Sequence, residues 1–161
     1  IAFARIKIID TNFYRDIEWP IVVLLATMIP IGVAIESTGL SSTISSAISG
    51  MAIGLDQFWI LLIILVTTML ITDIINNAAT AVIMAPISVG IANQLGYSIE
   101  PFLMVVAVGA SCAFLTPIGH QCNTVVMGPG NYKFSDYWKM GLPLDILIIL
   151  ISIPMILFVW T

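Results

Sequence analysis

Apolar runs and short polar interruptions alternate along this chain at lengths set by a bilayer. Trp19 to Ile35 is apolar, with Pro20 in a favourable first-turn position. At about 1.5 Å per residue this stretch nearly crosses a hydrocarbon layer of about 30 Å, so a span is predicted over 19–37. Over 41–54, Ile44, Ala47, Ile48, Met51 and Ala52 recur at helical spacing among serines and glycines, which predicts an amphipathic helix lying at the interface. Phe58–Ile71 and Ala78–Ala92 are apolar arms of about 15 residues each, short of the ~20 a full span needs. A re-entrant hairpin over 58–95 is predicted from them. Phe102–Leu115 is apolar again and then breaks at TPIGHQCN, Thr116–Asn123. Pro117 cannot donate a backbone hydrogen bond there and Gly119 is permissive, which predicts a broken helix over 101–127. Leu142–Trp160 reads as a full-length last span, 141–160, with Trp160 suited to the far interface.

The hairpin carries TDIINNAAT, Thr72 to Thr80, at its centre. Irregular backbone at membrane depth survives only when buried in protein or lining a cavity. Carriers build midplane sites from such elements: unwound carbonyls and helix C-terminal ends hold cations, and half-helix N-termini face anions. A helix restarting near Ala78 would aim its N-terminus into such a site. Asn76 and Asn77 can cap that helix and offer amide donors to an oxyanion. They can equally serve only as caps and helix-to-helix glue. Asp73 is either a structural group paired with nearby backbone or a functional one, proton carriage included. His120 is open in the same way between a structural role and substrate contact.

Composition sharpens the class. The 161 residues are 60% hydrophobic and 9% charged, with mean hydropathy +1.10, where soluble domains carry about 25% charged residues. An all-α integral membrane protein follows, with the lipid bilayer as its first partner. The net charge of −4 reflects scarce Lys and Arg and disfavours nucleic acid. Residues 1–18 read as a cytosolic lead-in with no signal peptide, and the missing initiator Met reads as a piece of a longer protein. With the N-terminus inside, Arg5, Lys7, Arg15, Lys133 and Lys139 all fall on the cytoplasmic side of a multi-pass cell-membrane protein. Cys112 and Cys122 lie in membrane-embedded stretches, so no disulfide is expected and each reads as a small buried hydrophobe. Asp73, His120, Cys112 and Cys122 show no metal-ligand spacing.

At the two breaks the sequence resembles the divalent anion:sodium symporters of the ion transporter superfamily. Their hairpin tips carry a Ser-Asn-Thr motif, and NNAATAVIMAPI, Asn76 to Ile87, matches its surroundings. CAFLTPIGHQCNTVVMGPG, Cys112 to Gly130, resembles the second loop. EWPIVVLLATMIPIGVAIESTGL and NYKFSDYWKMGLPL resemble the flanking segments, so the likeness covers almost the whole chain. The resemblance implies the C-terminal inverted repeat of a secondary transporter, with its N-terminal repeat as the missing partner, often with TrkA-C-type domains between the halves. It also implies a homodimer, no enzymatic activity, and sodium as coupling ion in place of any cofactor. Carried over by position, Thr72, Asn77 and the carbonyls of Ile75 and Gly119 would bind sodium. Asn76, Asn77, Ala78, His120, Gln121 and Asn123 would face the substrate. Two departures stand out: the motif's Thr is Ala78, and a Thr-Pro pair is replaced by His120-Gln121. The expected substrate is a small divalent anion such as sulfate or a dicarboxylate, and both departures leave the smaller oxyanion open. The alternatives are proton coupling through Asp73 or His120, an arsenite-type or other anion exporter of the same superfamily, and a non-transporting membrane anchor or sensor.

Overall fold

The structure is a computed structural model that describes residues 37–52 and 54–160, with positions 23, 26, 27, 30, 33 and 34 ahead of them, the side chains of Ser49, Met51, Ala52 and Gln121 excepted. The lead-in 1–18 and most of the expected span 19–37 lie outside the described residues. Among the described residues all regular structure is helical: α1 Leu40–Ala52, α2 Gln57–Thr72, α3 Asn77–Leu95, α4 Ile99–Ser111, α5 Gln121–Met127 and α6 Phe134–Trp160.

The helix ends follow from local chemistry. Asn76 is extended and its side chain accepts the Ala79 N–H at 2.8 Å, which starts α3. Gly96, left-handed at φ 75°, ends it, and the N–H of Tyr97 closes onto the Ala92 carbonyl. The second arm therefore runs to Leu95, further than its apolar run, and is long and apolar enough to cross a membrane. Helix α6 starts at Phe134 and not near 141. The reason is a reciprocal cap: Asp136, in the first turn, accepts the Lys133 backbone N–H at 3.0 Å and pairs with Lys139 at 3.3 Å.

Helix α4 is the hub. It packs on both α2 and α3 and more lightly on α6, while α1 lies on α3. Leu61, Leu65, Ile91, Phe102 and Val105 fill the centre, joined by Ile153 and Ile156 from α6. Where neighbours are as apolar as lipid, close packing and internal hydrogen bonds hold helices together, and small residues mark the crossings. A Cβ on Gly109 of α4 would stand 2.9 Å from Thr68 of α2, and one on Gly90 of α3 would run into Ser45 Oγ of α1. Ser88 of α3 donates to the Phe102 carbonyl of α4 at 3.1 Å. The α1 face turned inward is Ser41, Ile44, Ser45 and Ile48, with Ala47 exposed. The sequence pattern takes Ile44, Ala47, Ile48, Met51 and Ala52 as the apolar face of an interfacial helix; Ile44 and Ile48 do turn inward, but beside the small serines that allow the closest approach.

Candidate functional site

Between α2 and α3 the chain is non-helical over 73–76, and between α4 and α5 over 112–120. The two interruptions are tied together. Asp73, 4% exposed, accepts the Leu115 N–H on Oδ1 at 3.1 Å. Thr116 donates its hydroxyl to the Asp73 carbonyl at 2.7 Å and accepts the Gly119 N–H at 3.0 Å. Gly119 is buried so closely that a Cβ there would stand 3.1 Å from Asp73 Cα and 3.2 Å from the Thr72 carbonyl oxygen. Glycine at 119 is what lets the second break lie on the tip of the first.

At this junction Thr72, fully buried, places its hydroxyl oxygen 2.9 Å from Asn77 Oδ1 and 3.0 Å from the Ala110 carbonyl. One hydroxyl proton thus faces two acceptors. Turning the Asn77 amide so that its NH₂ faces Thr72 gives every oxygen a proton, because the Thr72 hydroxyl then donates to Ala110. Turning it back opens Oδ1. Three neutral oxygens within reach of one another suit a hard monovalent cation. Sequence reasoning did not find the Ala110 carbonyl, since a backbone oxygen leaves no mark in the sequence.

The remaining candidates divide. Asn76 is exposed and caps α3. Ile75 sits exposed on the turn, its N–H donated to Ile71, and Ala78 is half-buried in the first turn of α3. His120 is exposed and accepts the Cys122 N–H on Nδ1 at 3.1 Å, so the neutral ring carries its proton on Nε2. Gln121 is the first residue of α5. Asn123 gives its amide to the Ala113 and Thr116 carbonyls at 2.8 and 3.2 Å, and its own carbonyl accepts the Tyr137 hydroxyl at 2.7 Å. What Asn123 does in this arrangement is fix the shape of the break. Cys112 is buried and Cys122 exposed, both free, which corrects the expectation that each would be a buried hydrophobe. Cys122 lies on the short α5, where Thr124, Val125 and Val126 are exposed as well. Among the described residues no group of His, Cys, Asp and Glu is placed to hold a metal. A cavity of about 380 Å³ opens on the other side of the break, between Phe114, Asn123, Val126 and the start of α6. Its lining is mainly apolar and it does not reach Thr72 or Asn77.

One carboxylate was overlooked in the sequence. Asp145, 5% exposed, lies on the buried face of α6 with Gly141, Ile153 and Ile156. Its signal was present as a lone acid inside an apolar span, and intramembrane ionisable residues mark candidate sites by default.

Among the described residues the chain is an apolar, all-helical bundle whose two helix breaks meet in its interior, an architecture that suits a membrane transporter. Comparison with known proteins agrees. The CitMHS family, described as citrate transporters, matches residues 4–109. The chain belongs to this family, in keeping with the divalent anion:sodium symporters its loops resemble. The Escherichia coli (strain K12) protein called uncharacterized transporter YfbS is 38% identical over 157 residues, which is 97% of this chain and 26% of that protein. The sodium-dependent dicarboxylate transporter SdcS of Staphylococcus saprophyticus is 25% identical over 94% of this chain and 29% of its own length. Sodium/sulfate cotransporter 2 of Chlamydomonas reinhardtii is 26% identical over 86% of this chain and 16% of its own length. The chain therefore spans less than a third of these relatives.

Proposed function

We propose that this chain is the C-terminal repeat of an ion-coupled secondary carrier that moves a small divalent anion by alternating access, with sodium as the coupling ion. One observation carries the reading: the Thr72 hydroxyl, Asn77 Oδ1 and the Ala110 carbonyl converge where Gly119 of the second break lies on the tip of the first. In this reading 58–95 is a re-entrant hairpin, and Thr72 and Asn77, with the carbonyls of Ile75 and Gly119, hold sodium. The Ala110 carbonyl adds an oxygen to that set. The two positions of the Asn77 amide then acquire a role. Its oxygen turns to sodium, which leaves NH₂ for an oxyanion and makes anion binding depend on the cation. His120 can add an Nε2–H donor, and Gln121 is its neighbour at the start of α5. Ala78 removes a hydroxyl that a larger substrate would use. Relatives named for sodium/sulfate and sodium-dependent dicarboxylate transport support the anion class.

The test is uptake of radiolabelled sulfate, succinate, citrate and phosphate by the full-length protein in proteoliposomes, with sodium or choline outside. Sodium-dependent uptake of sulfate or succinate is expected. Uptake of none of the four under any gradient would refute the carrier reading.

A further inference from the structure

We propose that Asp145 anchors a monovalent-cation site, for a proton or a sodium ion, behind the second break and separate from the Thr72–Asn77 junction. Gly141, one turn before Asp145 on the same face of α6, lies so close to the break that a Cβ there would stand 2.5 Å from the Phe114 carbonyl oxygen and 3.1 Å from the Leu115 nitrogen. Residues four apart share a helix face, so Asp145 looks toward the same segment. It is buried, and its Oδ1 has no hydrogen-bond partner. The same segment is held by Asp73, whose Oδ1 takes the Leu115 N–H while its Oδ2 has no partner either. Two carboxylates thus stand at the 112–115 backbone, each with one unsatisfied, buried oxygen.

Among the described residues, the ionisable neighbours of Asp145 are all acidic or neutral. Asp73 faces it from the end of α2 and Cys112 from the end of α4, both within electrostatic reach. The one ion pair among the described residues, Lys139–Asp136, is on the exposed first turns of α6. An isolated ionised carboxylate removed from water is strongly disfavoured unless a cation or a proton compensates it. A second carboxylate nearby deepens that need. The Phe114 carbonyl supplies a neutral oxygen on the same face. A proton and a sodium ion satisfy this chemistry alike.

The site rests on the carrier reading only for its role in coupling, so cation binding is measured without anion. Infrared difference spectra of the purified full-length protein are recorded on exchanging choline for sodium at fixed pH, and on stepping pH in choline. A carboxyl signal is expected that is lost in Asp145→Asn and returns, shifted, in Asp145→Glu. Its appearance on sodium exchange identifies sodium, and on the pH step a proton; either supports the site. No difference between wild type and Asp145→Glu in both exchanges overturns it, even where Asp145→Asn does not fold. The signal present with no uptake of any anion would leave the site standing and the carrier reading refuted, and the reverse result would remove the site alone.

Discussion

Adjacent asparagines at 76 and 77 have different work to do, and substitution separates them. Asn76 is exposed and its carbonyl oxygen holds the Ala79 N–H. Asn76→Ala should cost the full-length protein about 1 kcal/mol of thermal stability, and Asn76→Ser, which still caps, should restore it. Asn77 is half-buried against Thr72. If its amide serves cation and anion in turn, Asn77→Ala removes a hydrogen bond to a charged group worth about 1.5–3 kcal/mol. That corresponds to roughly one to two decades in apparent affinity for both sodium and anion, with little change in melting. Unchanged affinities in a destabilised protein would make Asn77 structural glue. Gly141 sets a different limit. Its Cβ would strike the Phe114 carbonyl, and that backbone cannot yield: Leu115 is bonded to Asp73, and Asn123 holds the carbonyls of Ala113 and Thr116. Gly141→Ala should therefore lower stability by about 1–3 kcal/mol despite the better helix propensity of alanine. Gly50→Ala in α1, with open space around the position, should be neutral or slightly stabilising in the same melting assay.

At the level of elements, the apolar runs marked the helices well because a bilayer imposes length and composition together. The ends were less legible. A cap such as Asp136 on Lys133 extends α6 back through a polar stretch that hydropathy discounts. Tertiary carbonyls such as Ala110 and Phe114, and the inward turn of Asp145, depend on packing that no local pattern encodes. The motif around Asn76 and Asn77 was legible because amides inside an apolar run are costly without a purpose. The length argument for a re-entrant hairpin weakens with α3 at 19 residues, about 28 Å. The tip still carries no Lys or Arg, as an inner loop usually would. In a background with the exposed Cys122 replaced by Ser, single cysteines at Leu55, Ile74 and Gln94 decide between the two topologies. A hairpin predicts that membrane-impermeant thiol reagents reach Leu55→Cys and Gln94→Cys from outside, while Ile74→Cys is not freely labelled from the cytoplasm. Full labelling of Ile74→Cys from the cytoplasm alone, in sodium and in choline, would mean two complete spans.

Over the described residues as a whole, the candidate site is built on one side only. Its breaks bond to each other, yet Ile74 and Ile118 on its rim are 78% and 72% exposed, beside the exposed Asn76 and His120. Apolar side chains flanking a polar junction are what a second, facing element would cover. Relatives for which this chain supplies 16–29% of the length have ample sequence to provide one. If the inverted-repeat reading holds, the missing half contributes the other face of the anion site, and residues 1–161 alone cannot close around a substrate. Expressed by itself and reconstituted, this chain should show no anion uptake above empty liposomes. Co-expressed as a separate polypeptide with the remainder of the full-length protein, it should recover sodium-dependent uptake, because helix packing between the halves does not require a covalent link. Ile118→Ser should weaken that recovery more than Phe158→Ser, which is apolar and even more exposed but lies at the far end of α6. A monodisperse 161-residue chain that transports unaided would show that one repeat is sufficient, and the two-sided site would have to be abandoned.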